Sequence, residues 1–234
     1  MSARASLAST LRSRGARTWS DAVEHPMVRE IGEGSLPHET FRFYLAQNIL
    51  YLEEYARAIG LGVALTSDSL SLGVMTRFLT QIVENEIPAN ADFLERAGGT
   101  PLTGGSRAMT SLTYDYTRHL LFTCARGPLS HALTALLPCQ WSYGEIATRL
   151  SSRVPDDPLY AQWIAMFANP AYDALVDAST SLLDRVAPDD EVDALADLFD
   201  RSVRYEAAFW QMAYTRDGST LSTTEHPHKE NHHV

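Results

Sequence analysis

LLPCQWSYGEI, residues 136–146, is the stretch whose reading decides the fold. Leu136, Leu137 and Ile146 give it an apolar, helical character, yet Pro138 sits inside it and Cys139 follows directly. A proline in a helix interior has no N–H to donate and crowds the carbonyl four residues back, here that of Thr134. A kink or widened turn at Cys139 is therefore expected, and such a turn can aim a side chain into an interior space. Tyr143 lies one turn on, at i+4, and shares the face of Cys139. A free cysteine is by default a small buried hydrophobe. A thiol beside a phenol at a proline site is also the arrangement of a nucleophile, and both readings stand at this point.

Outward from this helix the pattern is helical almost throughout, with no strand-like alternation bounded by hairpin turns. Periodicity predicts a first helix over residues ~6–24. GEGSLPHE reads as a loop that leads into a helix start, with Pro37 near the first turn, where its missing N–H is harmless. The segment 39–66 is apolar on more than one face and predicts a central helix. Residues 67–99 read as a long helix interrupted at Pro88 and stopped by Gly98-Gly99. Further helices are expected over 106–127, 128–153, 157–168, 170–186 and 189–215. The fold class is all-α: one domain over residues 1–215, a bundle of seven or eight helices with a ligand pocket between them. Residues 216–234 form a polar, His-rich tail that is expected to be flexible.

Composition narrows the function classes. The chain has 234 residues, 45% hydrophobic and 21% charged, enough for a real core. A formal net charge of -10 argues against nucleic-acid or anionic-membrane partners. No apolar run reaches the ~18 residues of a membrane span. Two cysteines, Cys124 and Cys139, make no disulfide framework, and a reduced, cytoplasmic compartment is expected. Arg4, Arg12, Arg14 and Arg17 with no acid in the first twenty residues have a transit-peptide composition. An amphipathic first helix is the favoured reading there, and the lack of an apolar region argues against a secretory signal. His226, His228, His232 and His233 in the tail favour adventitious metal binding over a structural site, so no metal centre is expected.

Three more segments carry chemistry-bearing side chains. In YEAAFWQMAY (205–214), Glu206 has Phe209 and Trp210 at i+3 and i+4. Buried there, its carboxyl would have a raised pKa suited to acid/base work; the alternative is a surface glutamate beside Arg201 and Arg204. In FYLAQNILYL (43–52), Asn48 and Tyr51 share a face. Asn48 reads as a helix–helix hydrogen bond or as a reader of a planar ring, with one bond donated and one accepted. Tyr116 and His119, three apart, read as satisfied core residues. There is no phosphate loop, GxGxxG or nucleophile-elbow serine. Glu-x-x-His occurs only in the tail, and Glu84 and Glu86 have no histidine nearby, which argues against a di-iron bundle.

These segments, in their order and spacing, resemble the TenA family, also called thiaminase II or aminopyrimidine aminohydrolase. The resemblance spans His25-Pro26, Gly32-x-Gly34-x-Leu36-Pro37, FYLAQN, the Tyr116 segment, LLPC-x-W-x-Y-x-E and YExxFWxMAY. It implies a haem oxygenase-like fold without haem, a homotetramer, no cofactor, and a small pyrimidine as substrate. The implied reaction converts 4-amino-5-aminomethyl-2-methylpyrimidine to the hydroxymethyl pyrimidine and ammonia, with thiamin cleavage as a related activity. By the resemblance Cys139 is the nucleophile and Glu206 the acid/base, while Tyr51, Tyr116 and Tyr143 line the pyrimidine pocket. For Cys139 to act near neutral pH the thiolate must be favoured.

Two positions depart from the family pattern. Asn48 stands where the family has an aspartate that grips the pyrimidine amino group and ring nitrogen, and Phe167 falls on a pocket tyrosine. Asn48 complements a neutral aminopyrimidine but cannot stabilise a protonated ring. Three readings follow: the salvage hydrolase, a divergent relative acting on another small aromatic or amine, and a non-catalytic pyrimidine binder. Retention of Cys139 and Glu206 argues against the last.

Overall fold

The computed structural model describes residues 6–220, apart from the side chains of residues 105 and 106, and the described residues hold eleven α-helices and no strand. Expected elements fall close to their places, with three differences. The predicted first helix is two, α1 (Leu7–Arg14) and α2 (Ala16–Val23), broken at Gly15. Glycine is the weakest ordinary helix residue, and the break turns Trp19 inward to stack on Phe199 and meet the edge of Trp141.

The second difference is a short helix, α3 (Pro26–Glu33), before the glycine-rich loop. His25 caps it: its Nδ1 accepts the Met27 N–H at 3.2 Å, while its Nε2 meets Gln211 Oε1 at 3.1 Å. Pro26 occupies the first turn, where no N–H is needed. Gly32 lies where a Cβ would come within 2.4 Å of Leu150, and Gly34 closes the helix in the left-handed conformation at φ 70°. The Leu36 carbonyl accepts from Tyr160 Oη at 2.6 Å, and Pro37 is the N-cap of α4 (His38–Ala64). The HP…GxGxLP signature is thus a turn that fixes where α4 begins.

At 27 residues α4 is about 40 Å long. It is buried on more than one face, as its sequence predicts, and packs on α5 (Ser69–Thr80), α6 (Ile87–Arg96) and α7 (Ser111–Arg126). The third difference lies between α5 and α6. The helix does not break at Pro88. It widens into a π-helical turn over Gln81–Glu86, and Pro88 then sits in the first turn of α6. π-turns of this kind occur mostly as bulges in longer helices, often at functional sites.

The LLPC segment lies in α8 (Leu129–Leu150), whose middle is buried from Ala132 to Gln140. α8 stays α-helical through Pro138, so the widened turn expected at Cys139 is found instead at Gln81–Glu86. Carbonyls on either side of Pro138 are held from neighbouring helices: Tyr55 donates to Leu136 O at 2.7 Å and Tyr172 to Gln140 O at 3.0 Å. α9 (Pro158–Phe167), α10 (Pro170–Val186) and α11 (Val192–Thr215) pack around α8. Helix α11 ends at Thr215. The tail histidines and Arg4 lie outside the described residues. No described helix is long and apolar enough to cross a membrane.

Candidate active site

Cys139 and Tyr143 project from one face of α8, as their i, i+4 spacing requires. Tyr116 comes from α7, Glu206 from α11, and Tyr44, Asn48, Tyr51 and Tyr55 from a single stripe of α4. Four helices thus bring side chains from across the chain to one interior point.

The centre is a carboxylate and a thiol. Glu206 is 3% exposed, which decides between its two sequence readings in favour of burial. Arg204 instead pairs with Asp200 outside. Tyr116 Oη donates to Glu206 Oε1, and the nearby Cys139 thiol also favours the charged carboxylate. Burial raises the Glu206 pKa to about 7 against the lowering effects of Tyr116 and Cys139, so it is poised to exchange protons near neutrality. Burial, aided by the Glu206 charge, pushes the Cys139 thiol well above its ordinary range. Cys139 is therefore a neutral thiol at rest. The expected standing thiolate is corrected: the favourable contributions of Tyr51 and Tyr55 do not outweigh desolvation.

Aromatic rings enclose this pair. Tyr51 lies 4.9 Å from Tyr116 and 5.6 Å from Phe209, centroid to centroid, and its buried hydroxyl makes no well-formed hydrogen bond. Tyr143 shares a 3.0 Å hydroxyl–hydroxyl bond with Tyr44, stacks on Trp210 and meets Phe167 at 5.0 Å, edge to face. Phe167 is thus in the wall, with no hydroxyl to offer. His119 stands aside from the pair, bonded to Ser202 Oγ at 2.9 Å, with burial lowering its pKa to about 4.

Asn48 lies between Tyr44 and Tyr51 on the α4 stripe. Its Nδ2 donates to Asn90 Oδ1 at 3.0 Å, the helix–helix bond that was the simpler of its two sequence readings. That bond uses one amide proton and leaves Oδ1 and the second proton for other partners. Asn90 escaped the sequence reading, and Glu86 entered it only as a carboxylate without a histidine nearby. Their i, i+4 spacing in ENEIPAN was the available signal, obscured by Pro88 and by the change of helical period there. Glu86 is buried, and burial raises its pKa to about 8. Tyr44, Tyr55 and Tyr172 were also missed, although Tyr44, Asn48, Tyr51 and Tyr55 recur at 4, 3 and 4 residues, one face of a helix.

No cluster of three or more potential metal ligands occurs among the described residues. Two surface clefts, about 450 Å³ beside Trp141 and Glu145 and about 600 Å³ beside Arg42 and Arg216, share no residue with this cluster. The cluster is instead closed over by its own rings.

A family model described as TENA/THI-4/PQQC matches residues 13–216, a span that holds every residue of the cluster. The chain belongs to this family. Among the similar relatives of the TENA/THI-4/PQQC family is an aminopyrimidine aminohydrolase of Halalkalibacterium halodurans, 31% identical, with the match covering 89% of this chain and 96% of the relative. Another is an aminopyrimidine aminohydrolase of Helicobacter pylori, 30% identical over 84% of this chain and 93% of the relative. A TenA homologue from P. horikoshii OT3 superimposes with a TM-score of 0.83 at 26% identity, covering 90% of this chain and 99% of that one. The heme oxygenase of Leptospira interrogans, at 16% identity and a TM-score of 0.61 over 88% of this chain, shows that the two share a fold. The expected haem oxygenase-like all-α fold is the one observed.

Proposed function

We propose that this protein is an aminopyrimidine aminohydrolase of the thiaminase II type, which hydrolyses 4-amino-5-aminomethyl-2-methylpyrimidine to the hydroxymethyl pyrimidine and ammonia. The observation that carries this reading is the buried Cys139–Glu206–Tyr116 arrangement inside a chain similar to enzymes of that name. The pyrimidine ring occupies the aromatic enclosure of Tyr51, Tyr116, Tyr143 and Phe167, with its polar edge on Asn48.

Proton movements follow from the resting state. Ionised Glu206 takes the Cys139 proton as sulfur bonds to the electron-poor ring carbon, so the thiolate exists only in the attack. Addition breaks ring aromaticity, and the electron pair expels the amine from the exocyclic methylene. Protonated Glu206 gives that amine its proton. Water then adds at the methylene, its proton goes to Glu206, and the departing sulfur takes that proton as the ring re-aromatises. The sum is one water consumed and one ammonia released, with Cys139 and Glu206 restored and no cofactor entering. Tyr51 Oη, otherwise unbonded, stabilises sulfur while it carries charge.

Thiamin cleavage is the related, slower activity. A cytoplasmic location and a tetramer belong to the same proposal; exposed Phe122, Leu70 and Leu72 supply apolar surface for assembly. The test is ammonia release from the aminomethyl pyrimidine by wild type beside Cys139→Ser. Turnover by wild type alone supports the reading; equal turnover by the serine variant removes Cys139 from its role. A second reading, a different small aromatic or amine substrate, rests on Asn48 and Phe167, and absence of turnover by folded wild type would favour it.

A further inference from the structure

Asn90 is fully buried and bonded at both ends of its amide. Its Nδ2 donates to the backbone carbonyl of Glu86 at 2.8 Å. A carbonyl can only accept, so the nitrogen of Asn90 must face it and Oδ1 must face away. Asn90 Oδ1 meets the Asn48 side chain at 3.0 Å, and an oxygen there can only accept from Asn48 Nδ2. The backbone of the π-turn thus dictates, through two successive amides, which way Asn48 is turned. Its Oδ1 is left as an acceptor with no hydrogen-bond partner among the described residues, with the second Nδ2 proton as a donor beside it.

We infer that Asn90 is a positioning residue that locks the Asn48 amide, and that the lock selects a ligand edge with an amino donor next to an unprotonated ring nitrogen. A 4-oxo pyrimidine presents the reverse, an acceptor next to a ring N–H, and the lock rejects it. This rests on the aminopyrimidine reading and adds the device that sets its specificity. Without Asn90 the Asn48 amide is free to turn by 180° and serve either edge, because its nitrogen has no other hydrogen-bond partner among the described residues.

The experiment measures dissociation constants for 4-amino-5-hydroxymethyl-2-methylpyrimidine and its 4-oxo analogue by calorimetry, in wild type, Asn90→Leu and Asn90→Asp. Wild type prefers the amino compound by ~10-fold or more, the effect of one mismatched buried hydrogen bond. Asn90→Leu brings the ratio near one, chiefly by tighter binding of the oxo compound, a gain that general damage to the fold does not produce. Asn90→Asp, protonated so that its hydroxyl still donates to the Glu86 carbonyl, keeps an acceptor facing Asn48 and retains the ratio within about 3-fold of wild type, measured below the pH at which that buried carboxyl ionises. If the leucine variant does not fold, the aspartate variant carries the test, and loss of its ratio overturns the inference. A ratio unchanged in folded Asn90→Leu overturns it too, as does a wild type that binds neither compound or both alike. Failure of the parent reading looks different: wild type releases no ammonia from the aminomethyl pyrimidine, whatever the binding ratio.

Discussion

Two side chains carry the proposed chemistry, and each has a signature in measurement. Cys139→Ser keeps shape but loses a polarisable nucleophile, so it should abolish turnover while product binding and the unfolding midpoint stay close to wild type. Glu206→Gln keeps the Tyr116 hydrogen bond but cannot take the thiol proton. It should lower kcat by ~10²-fold or more with little change in KM, and erase the rise of kcat/KM through about pH 7. A glutamine variant that kept this acid limb would assign the titration to another group. Asn48→Asp, although it restores the family's aspartate, should fail alone. It sets a carboxylate oxygen against Asn90 Oδ1, two acceptors 3.0 Å apart. The folded variant must protonate the new carboxylate or break the Asn90–Glu86 bond, a loss of ~1–3 kcal/mol in urea unfolding near neutral pH. Equal stability of variant and wild type at pH 8 would mean that Asn90 turns freely. At this scale the sequence was informative about residue types: Cys139, Glu206, Tyr51, Tyr116 and Tyr143 do meet. It was silent on the Asn48–Asn90 pair, which joins positions 42 residues apart, and on the protonation of Cys139, which depends on burial.

Each element owes its limits to local chemistry that could be read, and its departures to partners that could not. Pro26, Pro37, Pro88, Pro158 and Pro170 all stand at or near helix starts, as a residue without an N–H should. Pro138 is the exception; α8 continues through it, with Tyr55 and Tyr172 donating to the nearby Leu136 and Gln140 carbonyls from α4 and α10. The π-turn over Gln81–Glu86 has no signature in residue types; it brings Asn90 of α6 to Asn48 of α4. Gly34 gives the clearest test at this scale. Its φ of 70° is strained for any residue with a Cβ, and Pro155 Cβ would lie 3.2 Å from an added methyl. Gly34→Ala should cost about 1 kcal/mol or somewhat more, read as a lower urea midpoint with unchanged slope. Because the turn sets the start of α4, some loss of activity should accompany it.

Over the whole molecule, stability must depend on pH through its two buried carboxyls. Glu206 and Glu86 have folded pKa values of about 7 and about 8, raised by burial from the usual 4.5. These two carboxyls bind more protons folded than unfolded between pH 4.5 and 8, while His119, held down to about 4 by burial, binds fewer below its usual 6.5; the carboxyls therefore prevail from about pH 6.5 to 8, where stability falls as pH rises, and the effect levels off above that. The Glu86 contribution is on the order of a few kcal/mol. Glu86→Gln should therefore raise the melting temperature relative to wild type at pH 8.5 and bring little benefit at pH 4.5. An equal effect at both pH values would show that Glu86 is ionised at no cost.

By itself the sequence determined that the chain is all-α, where most helices start and stop, and which family it joins. Those properties live in periodicity, proline and glycine placement, and motif order, all local along the chain. Tertiary structure alone decided that Glu206 is buried, that burial holds the Cys139 thiol toward its neutral form, and that the Asn48 side chain donates to Asn90. Each of these depends on desolvation or on a hydrogen bond between helices far apart in sequence, and neither exists until the helices pack.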